Sequence, residues 1–209
     1  MKLLVIGASR GIGLEVLQQG IAAGHEVTAV VRSPQGLPLS HENLKIVHGD
    51  VLQKGVIEAA VDGQDTVCLT IGIRPTRQPV SVFSEGTRVV VEAMQNSTCR
   101  RLICVTGIGA GDSRGHGGFF YDKIINPLML KTAYEDKDRQ EAIVRQSGLD
   151  WVIVRPGFLT NGSRTGDYRA LTELKDVKAG KISRADVADF ILREAAEMKH
   201  KGQTPLLTY

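Results

Sequence analysis

The chain opens with KLLVIGASRGIG (residues 2–13), a short apolar run followed at once by a turn that contains three glycines. A continuous apolar run is typical of a strand that is buried on both faces of a parallel sheet. After the turn, apolar side chains recur at helical spacing from Ile12 through Val16 to Ile21. The stretch therefore predicts a buried strand, a tight glycine turn and a helix.

The same order of elements repeats along the chain. The predicted strands are 2–7, 25–32, 44–50, 65–72, 101–107, 151–157 and a closing edge strand at 205–209. The predicted helices are 11–23, 53–61, 80–97, 134–147 and 183–198. Strands that alternate with helices imply a parallel sheet with right-handed crossovers. We therefore expect an α/β, Rossmann-type doubly wound fold, with a mostly parallel sheet of six to seven strands and helices on both faces.

Individual residues support two of these helix ends. Ser183 is expected to cap the last helix, with Asp186 in its first turn. Gly148 can supply the left-handed conformation that ends the preceding helix. By contrast, the glycine-rich stretch at 107–120 fits neither a helix nor a strand, and long loops of this kind are usually functional. We therefore expect a pocket-shaping loop at 107–133.

Length and composition bound the class of protein. No linker divides the 209 residues, so we expect a single domain over 1–209. Charges of both signs leave a formal net charge of +3, which does not suggest a nucleic-acid partner. No apolar run approaches the roughly 18 residues of a membrane span. Cys68, Cys99 and Cys104 lack CxxC spacing, so no metal site is expected and reduced thiols favour a cytoplasmic protein.

The position of the glycine turn indicates a nucleotide site. In an open parallel sheet, ligands bind beyond the carboxyl ends of the strands. Gly7 can supply the positive φ of a tight turn, Gly11 lets the backbone approach a pyrophosphate, and Gly13 lets the helix pack closely on the strand. The start of the helix adds unpaired N–H groups and a partial positive charge. The spacing GxxxGxG between a strand and a helix therefore predicts a dinucleotide-binding site.

The end of the second strand favours one dinucleotide over the other. An acidic residue there would bind the ribose hydroxyls of NAD, whereas an arginine accommodates the 2′-phosphate of NADP. The chain has Arg32 and Ser33 at this place and no acid, and Arg10 in the glycine turn could add a second cation. The sequence therefore favours NADP(H) over NAD(H). The alternative is that Arg32 is a solvated charge at the end of the strand.

Two later strand ends should complete the nucleotide site. Asp50 and Val51 follow the third strand, where a carboxylate could accept a hydrogen bond from the adenine amino group. Asp50 could equally cap the next helix. The stretch TIG, Thr70 to Gly72 with Ile71 between them, ends the fourth strand and should lie beside the adenosine ribose.

Several motifs together resemble a known superfamily. GASRGIG in the first turn, VVR after the second strand, GDV after the third and SGLDWVIVRPG at 147–157 resemble the short-chain dehydrogenases/reductases of the extended or atypical kind. The resemblance covers nearly the whole chain. SEGTRVVVEAMQ (84–95) followed by RRLICVTG (100–107) is similar to the NAD(P)-binding proteins grouped with biliverdin/flavin reductases and NmrA-like proteins.

The resemblance implies a catalytic signature that this chain carries only in part. The superfamily uses a serine and Tyr-x-x-x-Lys, in which the tyrosine donates a proton to a carbonyl and the lysine lowers its pKa. Lys137 falls at the lysine position, but Ala133 occupies the tyrosine position and Tyr134 is one residue too close. Thr106 stands near the serine position. The alternatives are an exposed Lys137–Glu141 ion pair and a packing role for Tyr134.

Further residues are implied around the nicotinamide and the substrate. Pro156-Gly157 resembles the segment that contacts the carboxamide through its backbone, with Phe158 and Leu159 bordering the substrate. His116 is a candidate acid, although loop histidines are usually solvated. A possible aromatic wall, for which core packing is an equal alternative, is formed by Phe119, Phe120 and Tyr121. The predicted cofactor residues are Gly7, Ser9, Arg10, Gly11, Ile12, Arg32, Ser33, Asp50, Val51, Thr70, Ile71, Gly72, Thr106, Lys137, Pro156 and Gly157.

The absent tyrosine shapes the expected function. Reduction of an isolated carbonyl places negative charge on one oxygen and depends on a positioned acid. A conjugated acceptor such as a flavin, quinone or linear tetrapyrrole spreads that charge, so orientation alone contributes most of the catalysis. We expect an NADPH-dependent reductase for a small molecule of this kind, a monomer or weak homo-oligomer. The alternatives are an NmrA-like sensor of NADP(H) without turnover and, less favoured because little chain follows the sixth strand, a nucleotide-sugar epimerase or dehydratase.

Overall fold

The computed structural model describes residues 1–33, 37, 39–118, 130–175 and 177–209. The strands are β1 Lys2–Ile6, β2 Glu26–Val31, β3 Leu44–His48, β4 Thr66–Leu69, β5 Arg101–Val105, β6 Asp150–Pro156, β7 Phe158–Thr160, β8 Arg169–Leu171, β9 Lys181–Ser183 and β10 Leu206–Thr208. The helices are α1 Gly11–Ala22, α2 Lys54–Val61, α3 Val82–Gln95, α4 Lys131–Gln146 and α5 Arg184–Glu197, with a short 3₁₀ turn at Gly111–Ser113.

The main sheet confirms the predicted doubly wound topology. In the part of the chain that the structure describes, its order is β3-β2-β1-β4-β5-β6-β10-β8. Every neighbouring pair from β3 to β10 is parallel, and only β8 runs antiparallel to β10. The chain moves outward from β1 to β3 and then crosses back to β4. The order of strands therefore reverses between β1 and β4, where doubly wound sheets form a ligand crevice.

Two apolar cores enclose the sheet because side chains alternate between its faces. From β1, Leu3 and Val5 point into the core that α1 and α5 cover, whereas Leu4 and Ile6 point into the core beneath α2, α3 and α4. All four side chains are almost completely buried. The continuous apolar run of β1 thus reflects a strand covered on both faces, as the sequence predicted.

The predicted strand count and one strand position are wrong. The sheet has eight strands rather than six to seven, because β8 adds an antiparallel strand beyond β10. The segment predicted as a closing edge strand forms β10, which is buried between β6 and β8. Strands β7 and β9 form a separate two-stranded parallel sheet. Each of these additional strands has only three residues, too few to show a period of two.

The helix ends and the cysteines agree with the sequence. Ser183 Oγ accepts the amide of Asp186 at 2.9 Å, which caps α5, and Gly148 adopts φ +67° just after α4. The three cysteines are buried and unpaired, and burial raises the pKa of Cys68 to about 12. Within the described ranges, no helix combines the length and hydropathy needed to cross a bilayer.

One close approach fixes the geometry around the first turn. A Cβ atom on Gly13 would lie 2.3 Å from the carbonyl oxygen of Gly7 and 2.5 Å from Thr70 Oγ1. Gly7 has φ +94°, and a Cβ atom there would lie 2.8 Å from the carbonyl oxygen of Thr70. The ends of β1 and β4 and the start of α1 can therefore meet only where these two side chains are absent.

We expect Gly13→Ala to lower the free energy of unfolding by about 1–3 kcal/mol, because the added methyl meets backbone atoms that cannot rotate away. The matched control is Gly55→Ala in α2, where an added Cβ meets nothing within 4 Å. There the better helix propensity of alanine should raise stability by up to about 1 kcal/mol. Urea unfolding of the two variants measures the difference, and equal midpoints would contradict the proposed steric constraint.

Candidate active site

A pocket of about 720 Å³ lies beyond the carboxyl ends of the parallel strands. Its wall comes from the glycine turn, from the ends of β2 to β6 and from the start of α5. Every predicted cofactor residue except Ser33 lines this pocket, and so do Tyr134, Phe158 and Leu159. Residues that are far apart in the sequence are therefore brought to one cleft, whose size suits a small-molecule ligand.

The glycine turn fits an anionic ligand. Gly11 has φ +62°. A Cβ atom there would lie 3.8 Å from Arg184 Nε, at ordinary contact distance, so the space beside Gly11 is open. The N-cap residue of α1, Arg10, makes no side-chain capping hydrogen bond, and the first turn of α1 has no acidic residue. The amides at the start of α1 therefore face the pocket without a capping side chain, as phosphate binding requires.

Arg32 is placed where a 2′-phosphate could bind. Its side chain is 77% exposed, and its Nε lies 3.9 Å from Asp50 Oδ2, a loose contact. Asp50 Oδ1 accepts the amide of Leu52 at 3.0 Å, while α2 begins at Lys54 with Gln53 as its N-cap. The alternative in which Asp50 caps the next helix is therefore wrong. Its contact with adenine stays a prediction.

The end of β4 is fastened to the glycine turn. Thr70 Oγ1 donates to the carbonyl oxygen of Ile6 at 2.9 Å, and Arg10 Nη2 donates to that of Gly72 at 3.4 Å. The chain continues into Arg74, which also lines the pocket and which the sequence analysis missed. The Thr70–Gly72 segment is thus held against the first turn, and its place beside the adenosine ribose stays a prediction.

Lys137 points into the pocket rather than onto a surface. Its Nζ donates to the carbonyl oxygen of Thr106 and lies 5.1 Å from the ring centroid of Phe83 and 5.5 Å from that of Tyr134. Burial lowers the pKa of Lys137 to about 8, although the charge of Glu141 opposes the shift. The alternative of an exposed ion pair between Lys137 and Glu141 is wrong, because Glu141 is buried and bonded elsewhere.

The shifted tyrosine and the lysine converge on Gly107. A Cβ atom on Gly107 would lie 3.3 Å from the hydroxyl oxygen of Tyr134 and 3.6 Å from Lys137 Nζ. Ala133, at the superfamily's tyrosine position, is buried instead against Val80 and Phe83. The structure therefore brings Tyr134 and Lys137 to one point of the pocket, although they are only three positions apart on α4.

A buried ion pair behind the pocket was not predicted. Arg155 in β6 is completely buried, and its Nε and Nη2 donate to the two carboxylate oxygens of Glu141 at 2.9 and 2.6 Å. Its Nη1 donates to Asp112, and Thr106 Oγ1 donates to Glu141 at 2.8 Å. Since the Thr106 hydroxyl is bonded to Glu141, Thr106 reaches Lys137 through its backbone carbonyl. An arginine inside the apolar run WVIVRPG was the signal that a buried carboxylate must exist.

These contacts shift the pKa of both ends of the network. Burial disfavours charge on Asp112 and Arg155, but their mutual hydrogen bond and the bonds to Glu141 outweigh it. The pKa of Asp112 is held below its usual value, and that of Arg155 is raised. Asp112 and Arg155 therefore stay charged, and the hydrogen bonds of Arg155 tie the 3₁₀ turn at Gly111–Ser113 to α4 and β6.

Other predicted residues have different outcomes. The amide of Gly157 donates to the carbonyl oxygen of Leu207 at 2.9 Å, so a contact with a carboxamide through this N–H would break a sheet hydrogen bond. His116 does not line the pocket, and its Nδ1 lies 2.8 Å from the carbonyl oxygen of Val177. The predicted aromatic wall of Phe119, Phe120 and Tyr121 falls outside the described residues.

The start of α5 contributes pocket residues that no motif marked. Arg184 is the first residue of α5, and its Nη1 donates to Asn161 Oδ1 at 2.7 Å. Both side chains line the pocket. Arg184 comes to the glycine turn because α5 packs beside α1 on one face of the sheet, and Asn161 follows β7, which pairs with β9 just before α5. Sequence periodicity does not reveal these tertiary contacts.

Asp186 fixes this end of α5. Its completely buried carboxylate accepts the amides of Thr165 and Gly166 at 2.7 and 2.8 Å and the hydroxyl of Tyr209 at 2.6 Å. Burial alone would raise the pKa of Asp186, but the hydrogen bonds from Tyr209, Gly166, Thr165 and Ser183 together lower it to about 2. One carboxylate thus joins α5 to the 165–166 turn and to the C-terminal residue.

The fold and the pocket are those expected of an NAD(P)-binding protein. A family model described as NAD(P)H-binding matches residues 7–197, and the chain belongs to that family. Within the described residues, no group of three or more His, Cys, Asp or Glu side chains is placed to hold a metal ion.

Three known proteins illustrate the similarity. The uncharacterised sugar epimerase YhfK of Bacillus subtilis is 27% identical over 220 residues, which cover 100% of this chain and 94% of that protein. The structure of ChuY, an anaerobilin reductase from Escherichia coli O157:H7, superposes with a TM-score of 0.85 at 25% identity and covers 100% of this chain and 97% of ChuY. A wide-type short-chain dehydrogenase/reductase from Veillonella parvula in complex with NADP has the same fold, with a TM-score of 0.84 at 17% identity over 100% and 94% of the two chains.

We expect Asp186→Asn to change how stability depends on pH. The pKa of Asp186 lies below that of a free aspartate, so its contribution is complete above about pH 4 and is lost as the pH falls through about 2. The variant should be less stable at pH 7, and its free energy of unfolding should fall less steeply between pH 4 and 2. Urea unfolding at several pH values measures this, with Asp167→Asn on the same loop as the exposed control. If the free energy of unfolding depends on pH in the same way for wild type and Asp186→Asn, the stabilising role of the Asp186 carboxylate is contradicted.

Proposed function

We propose that the protein is an NADPH-dependent reductase that transfers hydride to a conjugated small-molecule acceptor of the flavin, quinone or linear tetrapyrrole type. The observation that carries the proposal is the arrangement of the pocket. A phosphate-binding turn and an exposed Arg32 lie at one end, and Lys137 lies beside Gly107 at the other, without a tyrosine four residues before it. This arrangement combines groups that suit a dinucleotide with an incomplete form of the superfamily's set of proton donors.

The preference for NADPH rests on charge at the end of β2. Among the described residues, the charged partner of Arg32 is Asp50 in a loose contact, which leaves hydrogen-bonding capacity for a phosphate. The two residues that follow β2, Arg32 and Ser33, include no acid of the kind that binds the ribose hydroxyls of NAD. The presence of NADP in the structure of the Veillonella parvula protein is consistent with this preference.

The chain's own residues perform a limited set of tasks. The bound nicotinamide supplies the hydride, and the glycine turn and the start of α1 hold its pyrophosphate in place. Lys137 Nζ, fixed by the carbonyl oxygen of Thr106, offers a proton and positive charge beside Gly107. Because its pKa is about 8, Lys137 is mostly protonated at neutral pH and can still release the proton. Tyr134 and Phe158 add aromatic surface on the pocket wall that suits a flat acceptor.

The comparison with ChuY supports the reductase assignment, because ChuY is an anaerobilin reductase that shares the fold over the whole chain. Two other functions predict different behaviour. An NmrA-like sensor would bind oxidised and reduced cofactor with different affinities and would reduce no acceptor. A sugar epimerase, the activity named for YhfK, would consume no net NADPH.

Steady-state NADPH oxidation tests the reaction. We expect turnover with flavins, quinones or linear tetrapyrroles and little with simple ketones, because only the conjugated acceptors tolerate a weak proton donor. Lys137→Met should lower kcat by about 100-fold, and wild-type kcat should fall above about pH 8 as Lys137 loses its proton. The control is Lys131→Met, an exposed lysine at the start of α4. Activity confined to ketones or alcohols would overturn the proposal.

Calorimetric titration tests the cofactor preference separately. Arg32→Gln should weaken NADP⁺ binding by about tenfold or more and leave NAD⁺ binding unchanged, because only NADP⁺ carries the 2′-phosphate. Wild-type protein that binds NAD⁺ as tightly as NADP⁺ would contradict the assignment of Arg32.

A further inference from the structure

Arg184 is a charged residue of the pocket to which the motifs give no role. It is half-buried at the first position of α5 and lines the pocket at the glycine turn. The nearest atom to the position that a Cβ atom on Gly11 would take is Arg184 Nε at 3.8 Å, followed by Cδ of the same residue at 4.0 Å. The side chain therefore borders the space that the missing Cβ of Gly11 leaves open.

This space is the one that the proposed dinucleotide would use for its phosphates. The start of α1 faces it with amides that no side chain caps. The Arg184 guanidinium faces it from α5, which packs beside α1. Backbone N–H groups and a planar guanidinium on two sides of one cleft are a donor arrangement that matches the oxygens of a pyrophosphate.

The charge of Arg184 is oriented but not neutralised. Its Nη1 donates to the carboxamide oxygen of Asn161 at 2.7 Å, a neutral partner that fixes the plane of the guanidinium. The nearest acid in sequence, Asp186, is saturated by hydrogen bonds from Ser183, Thr165, Gly166 and Tyr209. Over the described ranges, no carboxylate oxygen lies within 4.0 Å of the Arg184 guanidinium. Its Nε and Nη2 can therefore serve an anionic ligand.

We propose that Arg184, oriented by Asn161, binds the pyrophosphate of the nicotinamide dinucleotide across the cleft from the glycine turn. This inference rests on the proposed nucleotide site and divides the work between two arginines. Arg32 binds the 2′-phosphate at the adenosine end, and Arg184 binds the pyrophosphate that NAD and NADP share. Arg184 should therefore contribute affinity without contributing to the choice between the two cofactors.

The experiment compares two nucleotides in three variants by calorimetric titration. Arg184→Gln should weaken binding of NADP⁺ and of NAD⁺ by the same factor, about tenfold or more, and leave the ratio of the two dissociation constants unchanged. Arg32→Gln should change that ratio. Arg88→Gln, an exposed arginine on α3 that does not line the pocket, is the matched control and should bind both nucleotides as wild type does.

Three further measurements exclude trivial explanations. Asn161→Ala keeps the charge of Arg184 but removes the group that orients it, and it should weaken both nucleotides by a smaller factor. Adenosine 2′-monophosphate carries no pyrophosphate, so Arg184→Gln should bind it as wild type does. Urea unfolding of each variant shows whether the fold is retained, and a loss of nucleotide binding with unchanged binding of adenosine 2′-monophosphate reports on the site rather than on stability.

Each outcome is distinguishable from failure of the proposed function. Wild-type protein that binds neither nucleotide would remove the proposed function itself. If wild type binds the nucleotides and Arg184→Gln binds both of them as tightly as wild type does, the pyrophosphate role of Arg184 is wrong and the proposed cofactor site is unaffected. A loss confined to NADP⁺ would move Arg184 to the 2′-phosphate. Unchanged nucleotide affinity of Arg184→Gln with a raised KM for the acceptor would mean that Arg184 binds an anionic group of the substrate. This result and a loss confined to NADP⁺ would each overturn the inference.

Discussion

The pocket depends on one steric constraint, the meeting of Gly13 with the carbonyl oxygen of Gly7 and the hydroxyl of Thr70. At 2.3 and 2.5 Å from the Cβ position of Gly13, neither atom leaves room for a side chain. Because Thr70 Oγ1 also donates to the carbonyl oxygen of Ile6, the ends of β1 and β4 and the start of α1 lock at one point. That point is the topological switch of the sheet. The amides of α1 and the Thr70–Gly72 segment face the same cleft as a result.

A second constraint holds the opposite end of the pocket. A buried arginine destabilises a protein unless its hydrogen bonds are satisfied, and Arg155 satisfies three of its nitrogens with Glu141 and Asp112. Glu141 in turn accepts a hydrogen bond from the Thr106 hydroxyl, and the Thr106 carbonyl oxygen accepts one from Lys137 Nζ. Four parts of the chain, β5, β6, α4 and the 3₁₀ turn, are thereby joined behind the residue that we propose as proton donor. The network gives Lys137 a fixed acceptor without giving it a counter-ion.

The sequence was most informative where chemistry follows from a local pattern. Apolar runs located the parallel strands, and the glycines located the first turn, because buried strands and positive-φ turns each require particular residue types within a few positions. Three-residue strands such as β8 are too short to show such a pattern. Arg184 and Asn161 could not be predicted, because Arg184 reaches the pocket only through the packing of α5 against α1 and Asn161 only through the pairing of β7 with β9. The environment of Arg155 could be predicted in part. A charged residue inside an apolar strand indicates a buried partner of opposite charge, but the sequence does not show that this partner is Glu141.

The packing of α4 shows what replaces the superfamily's tyrosine in this chain. Ala133 fills the position with a small apolar side chain that packs on Phe83, whose ring lies 5.1 Å from Lys137 Nζ. The next buried residue, Asp136, accepts the amides of Phe83 and Ser84 and so holds the start of α3 against α4. In this chain the hydroxyl of the shifted Tyr134 converges with Lys137 on Gly107, and the rings of Phe83 and Tyr134 lie near the ammonium. Burial lowers the pKa of Lys137 to about 8, so the lysine itself is able to release a proton. For this reason we propose that the site acts on an acceptor that is flat and spreads its charge rather than on an isolated carbonyl.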